Sequence, residues 1–189
     1  IKMQSRAGET EPIHRQRVER ELMVDADQLV AFSPHERDAM ARLYDADPDH
    51  IELVPCGVDL ARFQPLNQEE SRKRLGLNGD KVLLFVGRIE SLKGLDLLVR
   101  TAAQMETCQG MRVLVVGDDG GKEGEADRVR QLVQDLDMDA IFDFVGRVDQ
   151  EHMPLYYSAA DVCVVPSFYE SFGLAALESM ACGTPVVAS

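Results

Sequence analysis

From Lys81 onward the chain alternates short apolar runs with amphipathic segments, without a break: "KVLLFVG", "LDLLVRTAAQM", "RVLVVG", "EADRVRQLVQDL", "IFDFVG", "EHMPLYYSAA", "VCVVP", "GLAALESMA", "PVVA". The first run is continuously apolar, which marks a strand covered on both faces. Strand followed by helix, repeated in this way, predicts βα units on a parallel sheet. Right-handed crossovers then put helices on both faces of that sheet. The expected fold class is therefore α/β.

The first part of the chain carries the same pattern in looser form. "HRQRVERELMVDAD" has helical polarity with Val18, Leu22 and Met23 to one side, "QLVAFS" reads as a strand, and "HIELVPCG" reads as another. Between the two strands Ser33 stands three residues before Glu36, the capping-box spacing, and "PHERDAMARLY" follows as a helix. Around "VDLARFQPLNQEESRKRLGLNGD" the pattern dissolves into proline, asparagine and charge with a short helix, so residues 61–77 are expected to be a hinge or linker. The chain has no initiator Met and closes on the strand-like "TPVVAS", so a fragment is expected.

Composition excludes several functions. Acidic residues number 33 against 20 basic, a net charge of −13 that repels nucleic acid and anionic lipid surfaces. No apolar run approaches the ~20 residues of a membrane span. Cys56, Cys108, Cys163 and Cys182 form no C-x-x-C pair, so reduced thiols in a cytoplasmic protein are expected, with no metal site. The four histidines have no ligand spacing and fall on helix or loop surfaces.

In an open parallel sheet, ligands bind beyond the carboxyl ends of the strands. Arg88, Lys93 and Gly94 follow "KVLLFVG", "DDGGKEGE" follows "RVLVVG", Arg147 and Val148 follow "IFDFVG", and "SFYESFG" follows "VCVVP". Cations in two of these loops, and a helix entered through Gly173 in a third, outline a phosphate site. Glu170 and Glu178 bracket that glycine. On a single helix they would stand about 80° apart in azimuth and roughly 12 Å apart along the axis. With Gly173 at the turn, Glu170 belongs to the loop and Glu178 to the second helical turn, so each meets a different part of a long ligand. Carboxylates accept paired hydroxyls well, which suits a sugar and a ribose. "GDDGGKEGE" does not have the G-x-G-x-x-G spacing and is read as a loop near the sugar or acceptor.

"VPCGVDLARFQP", "FVGRIESLKGLDLLV" and "PSFYESFGLAALESMACGTPVVAS" together resemble the signatures of retaining GT-B glycosyltransferases of the group 1 class, which includes sucrose-phosphate synthases and N-acetylglucosaminyl-inositol phosphate synthases. The resemblance runs from "VDADQLVAFS" to the end. It implies two Rossmann-like domains: residues 1–60 as the tail of an acceptor domain, and residues 78–189 as a donor domain truncated at its end. It implies catalytic roles for Arg88, Lys93 and Glu170. Arg88 and Lys93 would hold the diphosphate of a nucleotide sugar, Glu178 the ribose, and Glu170 a hydroxyl of the donor sugar. Backbone amides of Phe172, Gly173 and Leu174 would meet phosphate or sugar. Arg147 and Val148 would lie along the base, and Gly87 would let the backbone approach. Transfer would be driven electrostatically, with no obligatory metal or other cofactor. A UDP-sugar is the favoured donor, GDP- and ADP-sugars the alternatives, and the acceptor is a sugar or other hydroxyl. Peripheral membrane contact would have to come from parts outside this chain.

Cys56 departs from the asparagine common in related chains, and the family's glycine-rich loop and histidine near the donor sugar have no counterpart here. Without those parts the fragment alone is expected to be inactive. The rival readings are a different GT-B enzyme, such as a nucleotide-sugar 2-epimerase, and a non-catalytic nucleotide-sugar-binding or regulatory module.

Overall fold

The computed structural model describes residues 13–77, 81–105, 110–118 and 124–189. Cys108 and residues 119–123 of the glycine-containing loop lie outside them. Two compact units result. Among the described residues, one holds those up to Gly57 together with Tyr169–Gly173, and the other holds those of Val58–Phe168 with Leu174–Ser189.

The smaller unit contains α1 (Ile13–Asp25), β1 (Leu29–Ala31), α2 (Pro34–Tyr44), a 3-10 turn (Pro48–His50) and β2 (Ile51–Leu53). The strands pair in parallel, Leu29 opposite Ile51. Ala31, Ala46 and Ile51 form its buried centre, with Met23, Leu29 and Met40 packed around them. Ser33 caps α2, its Oγ accepting the Glu36 N–H at 3.1 Å. The reciprocal bond of the expected capping box lands one residue early, with Glu36 Oε2 accepting the Phe32 N–H at 2.8 Å. On α1, Met23 is packed but Leu22 points outward, 62% exposed, so the stripe expected from Val18, Leu22 and Met23 is only partly buried.

The larger unit holds α3 (Gln68–Arg74), β3 (Lys81–Val86), α4 (Leu95–Ala103), β4 (Met111–Val116), α5 (Glu125–Asp135), β5 (Phe142–Gly146), α6 (Met153–Ala159), β6 (Val162–Val165), α7 (Leu174–Ala181) and β7 (Val186–Ala188). Its five strands are all parallel in the order β5-β4-β3-β6-β7. Period-2 alternation sorts the strand side chains. Leu83, Phe85, Val113 and Val115 face the core that includes Leu95, Val99, Val129 and Val133 of α4 and α5. Val82, Leu84, Leu114 and Val116 face the core that includes Met153, Tyr157, Ala176 and Ala181 of α6 and α7. Both faces are therefore buried, as the apolar run of β3 requires.

Residues 58–77 pack on this unit. Phe63 and Leu77 are buried in its second core. Arg72 Nε donates to the Ala159 carbonyl at 2.8 Å and its guanidinium pairs with Asp161 at 2.6 Å. The same Asp161 oxygen accepts the Val82 N–H at 2.7 Å. A polar-looking segment is thus tied to the end of α6 and the start of β3.

Candidate functional site

The strand order reverses direction beside β3. From there the chain runs through β4 to β5 on one side and through β6 to β7 on the other. A switch point of this kind opens a crevice at the carboxyl ends of the strands. A cavity of about 440 Å³ lies there, lined by Val86, Gly87 and Arg88 after β3, Val116, Gly117 and Asp118 after β4, Arg147, Val148, Gln150 and Met153 after β5, and Glu178 of α7.

Local geometry explains how these loops come together. Gly117 lies so close to the Gly87 carbonyl that a Cβ there would collide with it. Gly87 N–H donates to the Val116 carbonyl at 3.0 Å, and Ile89 N–H to the Asp118 carbonyl at 2.7 Å, so the β3 and β4 loops continue the sheet's pairing beyond its last residues. The β4–β5 register shifts between Val115 and Val116, setting Gly146 opposite Val116. Gly117 N–H then bonds the Gly146 carbonyl at 2.8 Å and aims Arg147 at the cavity. Such shifts commonly redirect side chains next to sites.

Gly87, Arg88, Arg147, Val148 and Glu178, five of the ten residues nominated from sequence, line this cavity. Lys93 closes the 3-10 turn Ser91–Lys93 just after it. A Cβ on Gly87 would stand 3.9 Å from Lys93 Cγ and Cδ, so the lysine stem runs beside that loop. Leu174 begins α7 and is 44% exposed. Glu170, Phe172 and Gly173 group with the smaller unit. There Tyr169 is held above its ordinary pKa, first by burial and then by the charges of Glu36 and Glu170. Glu170 and Glu178 do not share a helix, since α7 starts only at Leu174. Sequence reasoning missed Asp118, Gln150 and Met153; Asp118 was the most accessible to it, standing directly after a buried strand.

Two carboxylates of the region have contrasting settings. Glu90 is nearly buried, its side chain 5% exposed, and accepts Arg88 Nη2 at 3.0 Å. Glu178 Oε2 accepts the Tyr157 hydroxyl at 2.7 Å. Burial raises the Glu178 pKa above its ordinary 4.5, and the Tyr157 bond only partly opposes that rise. Cys163 and Cys182, buried near this carboxylate, are each pushed up to about 11 by loss of solvent, so they stay thiols. The arrangement offers two arginines, Arg88 and Arg147, and a hydroxyl-accepting carboxylate in the wall of one crevice. Among the described residues no cluster of three His, Cys, Asp or Glu is arranged to hold a metal ion, and no helix is long and apolar enough to cross a membrane.

Comparison with known proteins gives this geometry a family. The group 1 glycosyl transferase family matches residues 67–189, and glycosyltransferase family 4 matches residues 6–62. A D-inositol 3-phosphate glycosyltransferase of Acidothermus cellulolyticus is 44% identical over 186 residues, covering 95% of this chain and 42% of that protein. Its counterpart in Kineococcus radiotolerans is likewise 44% identical, over 187 residues, covering 95% of this chain and 43% of that protein. The chain thus spans less than half the length of these relatives. Among solved structures, sucrose-phosphate synthase from Thermosynechococcus elongatus superposes with a TM-score of 0.84 at 38% identity, covering 95% of this chain and 44% of that one. Anabaena HepE in complex with UDP-glucose shares the fold, with a TM-score of 0.84 at 23% identity over 93% of this chain and 48% of that one. Matching the family over most of its length, and with the α/β fold of the GT-B enzymes, the chain belongs to the group 1 glycosyltransferases.

Proposed function

We propose that the chain is the donor-binding part, with an adjoining piece of the acceptor domain, of a retaining glycosyltransferase that moves a sugar from a nucleoside diphosphate sugar to a hydroxyl acceptor. The observation that carries this reading is the convergence of Arg88, Arg147 and Glu178 on one crevice at the sheet's switch point, with the Lys93 stem beside it. In this proposal Val58–Phe168 and Leu174–Ser189 bind the donor. Glu178 accepts the ribose hydroxyls, Arg147 and Val148 lie along the base, and Arg88 and Lys93 neutralise the diphosphate. As the glycosidic bond breaks, charge grows on the departing diphosphate, and fixed cations then stabilise the transition state more than the ground state. Glu170 and the amides of Phe172, Gly173 and Leu174 keep the roles that the family resemblance assigns them.

A UDP-sugar is the donor we favour, because HepE, which shares the fold, was crystallised with UDP-glucose. The relatives are named for D-inositol 3-phosphate and the structural neighbour for sucrose phosphate, so a phosphorylated polyol or sugar is the acceptor class we propose. Buried free thiols at Cys163 and Cys182 fit a reducing compartment, and we assign the protein to the cytoplasm.

Calorimetric titration of UDP, GDP and ADP into the protein extended to the length of its relatives tests this reading. One nucleoside diphosphate is expected to bind, and Glu178→Ala to weaken it at least tenfold, about 1.4 kcal/mol. If no nucleotide binds, or the variant binds as well as the parent, the donor-site reading is wrong and a non-nucleotide role moves ahead.

The same carboxylate sets a pH dependence. Ribose hydroxyls need it ionised, so affinity is full above its pKa and falls as pH drops through it. Because that pKa is raised, the loss begins at a higher pH than for an ordinary glutamate. Glu178→Gln removes this component while the nucleotide's own phosphate titration stays. The affinity gap between the parent and Glu178→Gln is therefore expected to be widest at neutral pH and to shrink towards mildly acidic pH. Parallel profiles would show that Glu178 does not meet the ribose.

A further inference from the structure

We propose that Tyr157 is a positioning residue for ribose recognition, holding the Glu178 carboxylate in its receptive orientation through a buried clamp built from the A-C-G-T-P segment. The inference rests on the donor-site reading above. Tyr157 sits on α6, fully buried, with its ring edge-on to Phe63 at 6.2 Å between centroids. Its hydroxyl donates to Glu178 Oε2 at 2.7 Å. A buried phenol needs a hydrogen-bond partner, and here the partner is a cavity-lining carboxylate. A second tie runs through the main chain. Thr184 Oγ1, buried, donates to the Tyr157 carbonyl at 2.6 Å. Thr184 N–H donates to the Ser179 carbonyl at 3.0 Å, and Ser179 Oγ returns a bond to the Thr184 carbonyl at 3.1 Å. Ser179 directly follows Glu178 on α7. Tyr157 is therefore joined to α7 twice, once by its side chain at Glu178 and once by its backbone through Thr184 and Ser179.

The chemistry suits this task. An ionised carboxylate offers about four acceptor positions on two oxygens. Tyr157 takes one on Oε2 and fixes the plane of the group, leaving Oε1 and the outward lone pairs to receive a vicinal diol. Burial and the nearby Glu178 charge both raise the Tyr157 pKa far above its ordinary value, so the phenol is a hydrogen donor at every working pH. The groups packed around this pair, Cys163 and Cys182, are neutral thiols and do not compete for the carboxylate. The conspicuous run after α7 thereby gains a role. Gly183 and Thr184 turn the chain so that a hydroxyl reaches back to α6.

The test compares UDP with 2′-deoxy-UDP by calorimetry, on the extended protein and its Tyr157→Phe variant, which keeps the ring against Phe63. UDP binding is expected to weaken about five- to tenfold and 2′-deoxy-UDP binding distinctly less, because the deoxy nucleotide already lacks one of the two hydroxyls that Glu178 receives. Thr184→Val, which cuts the backbone tie, is expected to show the same ribose-selective loss. It serves as the second probe if Tyr157→Phe does not fold. Equal weakening of both nucleotides would mean that Tyr157 supports only the packing of α6, and the inference would fall with the donor-site reading intact. If the parent protein does not distinguish UDP from 2′-deoxy-UDP and Glu178→Ala is silent, the ribose reading itself is overturned, and the inference with it.

Discussion

Lys93→Ala in the full-length enzyme is expected to lower kcat for sugar transfer about 10²- to 10³-fold, the usual cost of losing one preorganised group aimed at developing charge. Donor KM is expected to change far less. The argument follows from where charge appears. A bound nucleoside diphosphate sugar is already anionic, but its leaving oxygen gains most of its charge only as the bond to the sugar stretches. A cation at that end is felt most in the transition state. In the proposed site Lys93 would meet this need, since it closes a 3-10 turn and its stem runs beside Gly87, which lines the cavity. Arg88 is the less informative substitution. Its guanidinium is paired with the nearly buried Glu90, so Arg88→Ala would take a charge partner from that carboxylate and combine a loss of rate with a loss of stability. Single-turnover rates at saturating donor separate the two effects, because they report the chemical step on folded protein alone. Lys93→Ala within threefold of the parent in that assay would remove the lysine from the leaving-group site.

Much of the larger unit was legible because its central strands β3 and β4 are buried on both faces, so an apolar run could be read without knowing its neighbours. β3, with Val82 and Leu84 on one face and Phe85 on the other, is the clearest case. The segment 61–77 was harder. Its prolines and charges dominate the reading, while Phe63 and Leu77, which anchor it, are isolated in sequence. The site divides in the same way. Gly87, Arg88, Arg147 and Glu178, which line the cavity, could be singled out because they stand at fixed places after strands or inside a dense motif. Gly117 was not, because its reason is a contact with Gly87, thirty residues away, that no local pattern announces. Tyr157 reads as an ordinary helix residue until α7 is folded beside it, twenty-one residues along the chain. Tyr169–Gly173 illustrates a further limit. Continuous in sequence with β6 and α7, it nevertheless groups with the smaller unit. Side-chain chemistry can be read from single positions, whereas juxtaposition depends on packing partners that only the folded chain supplies.

Gly94→Ala is expected to be strongly destabilising, costing about 3 kcal/mol and lowering Tm by roughly 6–12 °C. Two separate effects add. Gly94 lies at φ +67° between the 3-10 turn and α4, a left-handed conformation that costs an L-residue about 1–2 kcal/mol. In addition, a Cβ at this position would run into the carbonyl oxygen of Pro166, which is backbone and cannot swing away. That approach is part of a seam joining the loops after β3 and β6, for the Phe168 N–H also donates to the Leu92 carbonyl at 2.9 Å. Forcing the seam open would move the Lys93 turn away from the end of β6, so surviving activity should fall along with stability. Gly76→Ala is the internal control. Gly76 has nearly the same backbone angle, φ +70°, but open space where its Cβ would project. It should therefore carry the left-handed cost alone, about 1–2 kcal/mol, with activity unchanged. Thermal melts of the two variants, run side by side, isolate the contribution of the close approach. A Gly94→Ala protein that melts with Gly76→Ala would mean that the loops after β3 and β6 do not meet as tightly as described, and the positioning of Lys93 would need another cause.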